Sequence, residues 1–344
     1  MFSGCYTALI TPFKDGEVDR EGLEQLVAFQ IANGTSGILA VGTTGESPAL
    51  NWDEHNEVTQ IVCELCKGRC TAIAGTGSNC TRETLEATEH AAGFGADAVL
   101  LVDPYYNGPS SLEIRREYVA PVAEAFPKIE VIPYVIPGRT GTQLLPEDLA
   151  ILHAEYPNVG TVKEATGDRE NMARTRACCG EDFAILSGDD DKTFDMMTDP
   201  AIRASGVISV ASNIAPKAVQ QFADLLNAGE REEAERLLEG LKPLFGIITV
   251  KTEEQTPYGS VTCRARNPLA TKTLMNVLGM PSGPCRRPLG KMTRKGLEVV
   301  LEAARAVQKK APEIFAPISA FFHVDVEERL HDEACWRGLC YEGY

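Results

Sequence analysis

Short apolar runs and longer amphipathic stretches alternate along this chain at regular intervals. Compact aliphatic and β-branched runs occupy residues 6–10, 37–41, 71–74, 98–102, 130–134, 159–163, 184–186 and 206–210. Between them, apolar residues recur every three to four positions, as at 20–32, 53–67, 82–92, 111–125 and 146–154. The first pattern predicts strands buried on both faces, and the second predicts helices that cover them. Polar residues such as Asp53 and Thr81 stand where helix caps belong. Eight such units within about 225 residues predict a closed parallel barrel. The rival is an open doubly wound sheet, but Thr11-Pro12-Phe13 after the first run is no phosphate-binding glycine fingerprint. The expected class is α/β, a (β/α)8 TIM barrel with a C-terminal helical domain.

That helical domain is expected from the pattern after the eighth unit, which becomes purely helical at 215–228, 230–246 and 296–309. The polar, turn-rich stretch 251–266 reads as a loop insertion. The expected division is 1–225 for the catalytic barrel, 226–311 for the helical domain and 312–344 for a C-terminal extension. In the extension, Ile318-Ser319-Ala320-Phe321-Phe322 precedes acidic Glu327, Glu328 and Asp332. This suggests a tail that docks on an apolar patch of a neighbour.

Composition narrows the function. With 344 residues, 44% of them hydrophobic, the chain can hold a barrel of about 250 residues and more besides. A formal net charge of −16 repels nucleic acid and anionic membrane surfaces, so neither is expected as a partner. An anionic substrate would need locally placed arginine. There is no run of 18 apolar residues and no signal-peptide pattern in residues 1–5, so a cytoplasmic protein is expected. The eleven cysteines are expected as reduced thiols. Cys63, Cys66 and Cys70 resemble part of a metal site, but Cys63 and Cys66 fall in the helical 53–67 stretch and no fourth ligand lies nearby. No metal is expected there, nor at Cys335 and Cys340.

Candidate chemistry gathers where the strands end. Lys163 closes the run Val159-Gly160-Thr161-Val162-Lys163, just before Glu164-Ala165-Thr166-Gly167-Asp168. In a barrel that end is the catalytic face. A partly desolvated amine there can attack carbonyls, although a lysine at such a position can also simply point to water. Gly42-Thr43-Thr44-Gly45-Glu46-Ser47 follows the second strand. Its glycines permit a tight turn on which N–H groups and hydroxyls converge, either to hold a small carboxylate or as an ordinary turn. Asp103-Pro104-Tyr105-Tyr106-Asn107 follows the fourth strand, Ile136-Pro137-Gly138-Arg139-Thr140-Gly141 the fifth, and Ser187-Gly188-Asp189-Asp190 the seventh.

Taken in order, "GTTGES", "PYYN", "PGRTG", "KEATG" and "LSGDD" resemble the dihydrodipicolinate synthase family, pyruvate-dependent class I aldolases, over roughly residues 1–307. The resemblance implies a lyase that condenses pyruvate with L-aspartate 4-semialdehyde through a Schiff base on Lys163, with no cofactor. Tyr134 is similar to the family's proton shuttle, and Thr43 and Tyr106 to its relay, with the tyrosine reaching across a subunit interface. Thr44 is similar to the pyruvate-carboxylate ligand, Gly188 and Ile208 to substrate-binding positions, and Arg139 to the clamp for the second substrate's carboxylate. Ser47, Trp52, His55, Asn79, Glu83 and Tyr105 are similar to a site for L-lysine as inhibitor. The family also implies a homotetramer, a dimer of dimers.

One departure stands out. Val135 follows Tyr134 where the family usually has asparagine, a change expected to bear on activity or substrate choice. Two other readings compete. One is a Schiff-base lyase for 2-keto-3-deoxy sugar acids. The other is a retired barrel that serves as a scaffold through residues 312–344.

Overall fold

The computed structural model describes residues 1–344. Eight parallel strands close into a barrel: β1 (Gly4–Ala8), β2 (Gly37–Ala40), β3 (Thr71–Gly75), β4 (Ala98–Val102), β5 (Glu130–Val135), β6 (Thr161–Glu164), β7 (Ala184–Ser187) and β8 (Gly206–Ser209). Each strand pairs with the next in sequence, and β8 closes on β1 with Tyr6 opposite Ile208. All eight expected runs contain a strand, displaced by a residue or two at several ends. The first ladder stops at Ala8, although Leu9 and Ile10 stay buried in the loop beyond it. Leu9 N–H still donates to Leu39 O at 3.0 Å and Ile10 N–H to Asn213 Oδ1 at 3.0 Å, so burial outlasts the regular strand, and the sequence pattern reports burial.

Successive side chains on a strand face opposite ways, which separates two apolar regions. Tyr6, Leu39, Ile132, Tyr134 and Ile208 belong to a group of 11 buried residues filling the barrel. Val131 and Val135 face outward into a continuous core of 72 buried residues. The outer wall comprises α1 (Arg20–Ala32), α2 (Trp52–Cys66), α3 (Thr81–Gly93), α4 (111–125, with Ile114–Val119 π-helical), α5 (Pro146–Glu155), α6 (Arg169–Cys179), α7 (Thr193–Thr198) and α8 (Pro216–Asn227). Side-chain caps start several of them: Asp19 accepts from Gly22 N–H, and Asn51 with Glu54 forms a capping box. The α8 segment, expected among the C-terminal helices, is the barrel's eighth outer helix. Its Gln220 Oε1 accepts from Cys5 N–H at 3.2 Å and Ser36 N–H at 2.9 Å, tying it to β1.

Helices α9 (Arg231–Gly246), α10 (Leu269–Val277) and α11 (Arg294–Lys310) follow, then short α12 (Ala316–Phe322) and α13 (Val326–His331). The expected loop at 251–266 is instead an antiparallel ribbon, β9 (Thr249–Thr256) with β10 (Gly259–Arg266). Its residues alternate in exposure, as a ribbon with one wet face requires. That alternation lay hidden in a polar composition. The tail also departs from expectation, because it folds back on its own chain. The rings of Phe321 and Phe322 lie 5.4 and 5.1 Å from that of Phe29 on α1. No helix is long and apolar enough to cross a membrane.

Candidate active site

The C-terminal ends of β5 and β6 place Tyr134 and Lys163 opposite one another in register. Lys163 Nζ lies 4.2 Å from the centroid of the Tyr134 ring. Both side chains are buried at 5% exposure, so water solvates neither charged form well. Burial pulls the Lys163 ammonium down to about 8, against Asp189 and Asp190, which raise it, while Arg139 adds to the lowering. Roughly a tenth of the amine is therefore neutral at pH 7, several hundredfold more than for an ordinary lysine. The Tyr134 phenol is pushed upward, chiefly by burial. Arg139 and the Thr43 hydroxyl oppose that rise, while Asp189 adds to it. Near neutral pH the pair thus offers a partly neutral amine beside a protonated phenol, an acid and a nucleophile in contact.

The floor around Lys163 is shaped by Gly188. A Cβ there would lie 2.7 Å from Ala165 Cβ and 3.3 Å from Lys163 Cε, so any larger residue would press on the amine's own stem. Asp190 is buried beneath, accepting from the Ser209 hydroxyl, from Val210 N–H at 2.9 Å and from Ala211 N–H at 3.3 Å. Asp189 is pushed up to about 6, mainly by burial and by Asp191, while Lys163 acts to lower it.

A cavity of about 200 Å³ opens above the barrel, lined among others by Thr43, Tyr134 and Arg139. Thr44 is buried beside it, and its hydroxyl accepts from Asn267 Nδ2 at 2.9 Å. Ile208 lies inside the barrel on β8. Tyr134, Thr43 and Arg139 therefore share one cavity, with Lys163 against the Tyr134 ring and Gly188 against the Lys163 stem, whereas Tyr106 stands apart. It is 92% exposed with φ at +79°, turned outward from its own barrel.

The residues expected at a lysine site fall into local contacts. Trp52 and His55 pack edge to face at 5.1 Å. His55 Nε2 lies 3.0 Å from Gly75 O, which leaves Nδ1 buried without a partner. Burial lowers the His55 pKa and keeps the ring neutral. Glu83 accepts from the Ser78 hydroxyl at 2.6 Å and raises the Tyr105 phenol after burial has done so. Ser47 and Tyr105 line the active-site cavity as well, while Asn79 is exposed.

Three supports escaped the sequence reading. Asn267, which holds Thr44, sits 223 residues away from it. Glu46 and Lys272 form an ion pair at 2.7 Å with both side chains 1% exposed, joining the 42–47 turn to α10. The quoted turn contained Glu46, but nothing in its spacing pointed to a lysine so distant. The third is the surrounding of Val135. Asp103 lies one residue past Val102, which pairs with Tyr134, and Glu164 pairs with Val135. Val135 thus stands between two buried carboxyls in the outer layer, and its side chain faces away from Lys163. Cys63 and Cys66 are buried on α2, and no group of three or more His, Cys, Asp or Glu residues is placed to hold a metal ion.

The family model for the dihydrodipicolinate synthetase family matches residues 1–307. A 4-hydroxy-tetrahydrodipicolinate synthase from Geotalea daltonii is 43% identical over 293 residues, covering 85% of this chain and 94% of that protein. The solved 4-hydroxy-tetrahydrodipicolinate synthase of the methanotroph Methylacidiphilum fumariolicum superposes with a TM-score of 0.83 at 34% identity, covering 91% of this chain and 98% of the other. A dihydrodipicolinate synthase from Cyanidioschyzon merolae, solved with lysine bound, has a TM-score of 0.80 at 35% identity, covering 89% of this chain and 98% of the other. Fold, strand-end residues and near-full-length similarity agree, and the chain belongs to the dihydrodipicolinate synthetase family.

Proposed function

We propose that this protein is a lyase of the class I aldolase type that condenses pyruvate with L-aspartate 4-semialdehyde to give 4-hydroxy-tetrahydrodipicolinate. The observation that carries the site assignment is the buried Lys163 amine, drawn down to about 8 and set against the protonated Tyr134 phenol. The neutral amine adds to the C2 carbonyl of pyruvate. Tyr134 gives a proton to the departing hydroxyl, and one water leaves as the imine forms. The iminium withdraws electrons from C3, whose proton then passes to a base, and the resulting enamine attacks the aldehyde carbon of the second substrate. The substrate's own amine then adds to C2 and displaces Lys163, closing the ring. No further cofactor enters this balance.

Thr44 is proposed to hold the pyruvate carboxylate, with Gly188 beside the Lys163 stem and Ile208 inside the barrel on β8 as further substrate-binding positions. Arg139, at the cavity's edge, takes the second substrate's carboxylate through a planar fork. Tyr106 completes the relay with Thr43 in a neighbouring subunit of a homotetramer built as a dimer of dimers. An exposed aromatic in a left-handed backbone conformation supports that role. L-Lysine is proposed as an inhibitor at Ser47, Trp52, His55, Asn79, Glu83 and Tyr105. The unpartnered His55 Nδ1 is an acceptor for its ammonium, and the Cyanidioschyzon merolae relative was solved with lysine bound.

The test is turnover of pyruvate with aspartate semialdehyde, together with borohydride trapping of pyruvate on the protein. Both are expected in the unsubstituted chain and neither in Lys163→Ala. Trapping with turnover of sugar-acid aldehydes alone would favour the 2-keto-3-deoxy sugar-acid reading. Loss of both in the unsubstituted chain would favour the scaffold reading.

A further inference from the structure

The exposed face of the ribbon β9–β10 carries Lys251, Arg264 and Arg266, with Glu253 as its one carboxylate, hydrogen-bonded to Ser260 and Thr262. Arg264 and Arg266 lie two residues apart on β10, and Lys251 stands opposite Arg264 in the ladder, so the three share a side. The other side holds Thr252 and Glu254, which face Thr293 and Lys295 at the start of α11. The basic face is therefore turned away from α11. Arg266 ends the ribbon beside the loop that carries Arg139, a residue lining the active-site cavity. Its Nη2 lies 3.4 Å from Gly138 O, the residue before Arg139. The next residue, Asn267, donates to Thr44, so the ribbon is anchored to the pocket wall.

This arrangement is electrostatically unbalanced. The chain has 49 acidic and 33 basic side chains, yet no ion pair includes Arg139, Arg264, Arg266 or Lys251. Burial lowers the Arg266 pKa, and the charges of Arg139 and Arg264 lower it further. Arginines held together beside a cavity-lining arginine, with no ion pair to any of them, favour an anionic ligand, and two planar forks can share one carboxylate.

We propose that Arg266 is a second carboxylate-binding residue for the aldehyde substrate, acting beside Arg139, with Arg264 and Lys251 forming its cationic approach. The proposal rests on the reading of the site as a pyruvate-dependent synthase and adds a specificity determinant from the ribbon. It predicts a KM effect confined to the second substrate. In that reading pyruvate is held by Lys163 and not by the ribbon.

The experiment is steady-state kinetics of Arg266→Gln and Arg266→Lys, with borohydride trapping of pyruvate as a separate readout. In Arg266→Gln the KM for aspartate semialdehyde should rise about tenfold, while the KM for pyruvate and the trapping rate stay within about twofold. Arg266→Lys should fall between, since it keeps the charge and loses the fork. Added salt should depress kcat/KM for the aldehyde more steeply in the unsubstituted protein than in Arg266→Gln. An unchanged KM for the semialdehyde in Arg266→Gln overturns the assignment of Arg266 alone. Absence of trapping, or turnover of neutral aldehydes only, in the unsubstituted protein overturns the synthase reading and the assignment with it. If Arg266→Gln does not fold, Arg266→Lys decides, a semialdehyde KM equal to that of the unsubstituted protein counting against the proposal.

Discussion

Tyr134 and Lys163 face each other across the β5–β6 ladder, with the amine 4.2 Å from the centre of the phenol ring. That contact joins the group that needs to lose a proton to the group that keeps one. The charges around it should be visible in the pH dependence of imine formation. Asp189 raises the Lys163 pKa and Arg139 lowers it. Asp189→Asn should therefore move the acidic limb of pyruvate trapping to lower pH, and Arg139→Gln should move it to higher pH. Shifts in the same direction for both variants would contradict the charge arrangement, and borohydride trapping across pH 5 to 9 reads them.

Asp103 makes the protein's stability depend on pH. Burial, with help from Glu164, pushes its carboxyl up to about 8, although Leu144 N–H donates to Oδ2 at 3.0 Å. Its Oδ1 has no partner, because its neighbour on β5 is Val135, which has nothing to donate. With a folded pKa above the unfolded one, this group's contribution is complete below about pH 4. It is lost as pH rises through about 8. Asp103→Asn removes the ionisation and should raise stability by about 1–3 kcal/mol at pH 8 and by much less at pH 5. Val135→Asn, with a donor beside Oδ1, should flatten the same pH dependence. Denaturant melts of the three proteins at both pH values check this.

The Glu46–Lys272 pair should behave as a buried pair whose halves depend on each other. Lys272 Nζ also donates to Thr11 O at 2.9 Å and Pro284 O at 3.1 Å, while Glu46 accepts from Arg286 N–H at 2.8 Å. Lys272→Met leaves a carboxylate uncompensated in the interior and should cost about 3–5 kcal/mol. Adding Glu46→Gln should recover at least half of that loss, because it removes the stranded charge. Urea unfolding of the single and double variants measures the coupling. A simple sum of the two single effects would show that the pair acts independently.

Tyr106 can be tested by mixing two inactive proteins. On the proposed roles, Lys163→Ala lacks the nucleophile and Tyr106→Phe lacks the relay hydroxyl. If each site takes its tyrosine from a neighbour, a mixed dimer contains one site with both groups. Co-expressed chains in equal amounts should then regain about a quarter of the unsubstituted turnover. A mixture no more active than its components would place Tyr106 within its own subunit or outside the reaction.

Much of this was legible in the chain because it is local or periodic. Eight apolar runs gave eight strands, since burial on both faces leaves a contiguous signature that survives small errors in boundaries. Barrel topology sends every strand end to one rim, which put Lys163, Tyr134, Thr43 and Arg139 together, while their separate roles came from the resemblance to the family. The ribbon was misread because a strand with one wet face looks polar when only composition is weighed. The tail was assigned to a neighbour because Phe321 and Phe322 announce an apolar contact without saying with what.

The sequence by itself determined the barrel and the rim on which Lys163 stands, because each depends on spacing that a single strand or turn enforces. The tertiary structure decided the rest. It set how far Lys163 is drawn down, that Asn267 braces Thr44, that Lys272 neutralises Glu46, and that Val135 faces two carboxyls instead of the substrate. These facts depend on burial and on pairs separated by tens or hundreds of residues. Desolvation and long-range charge pairing arise only when the closed barrel brings those residues together.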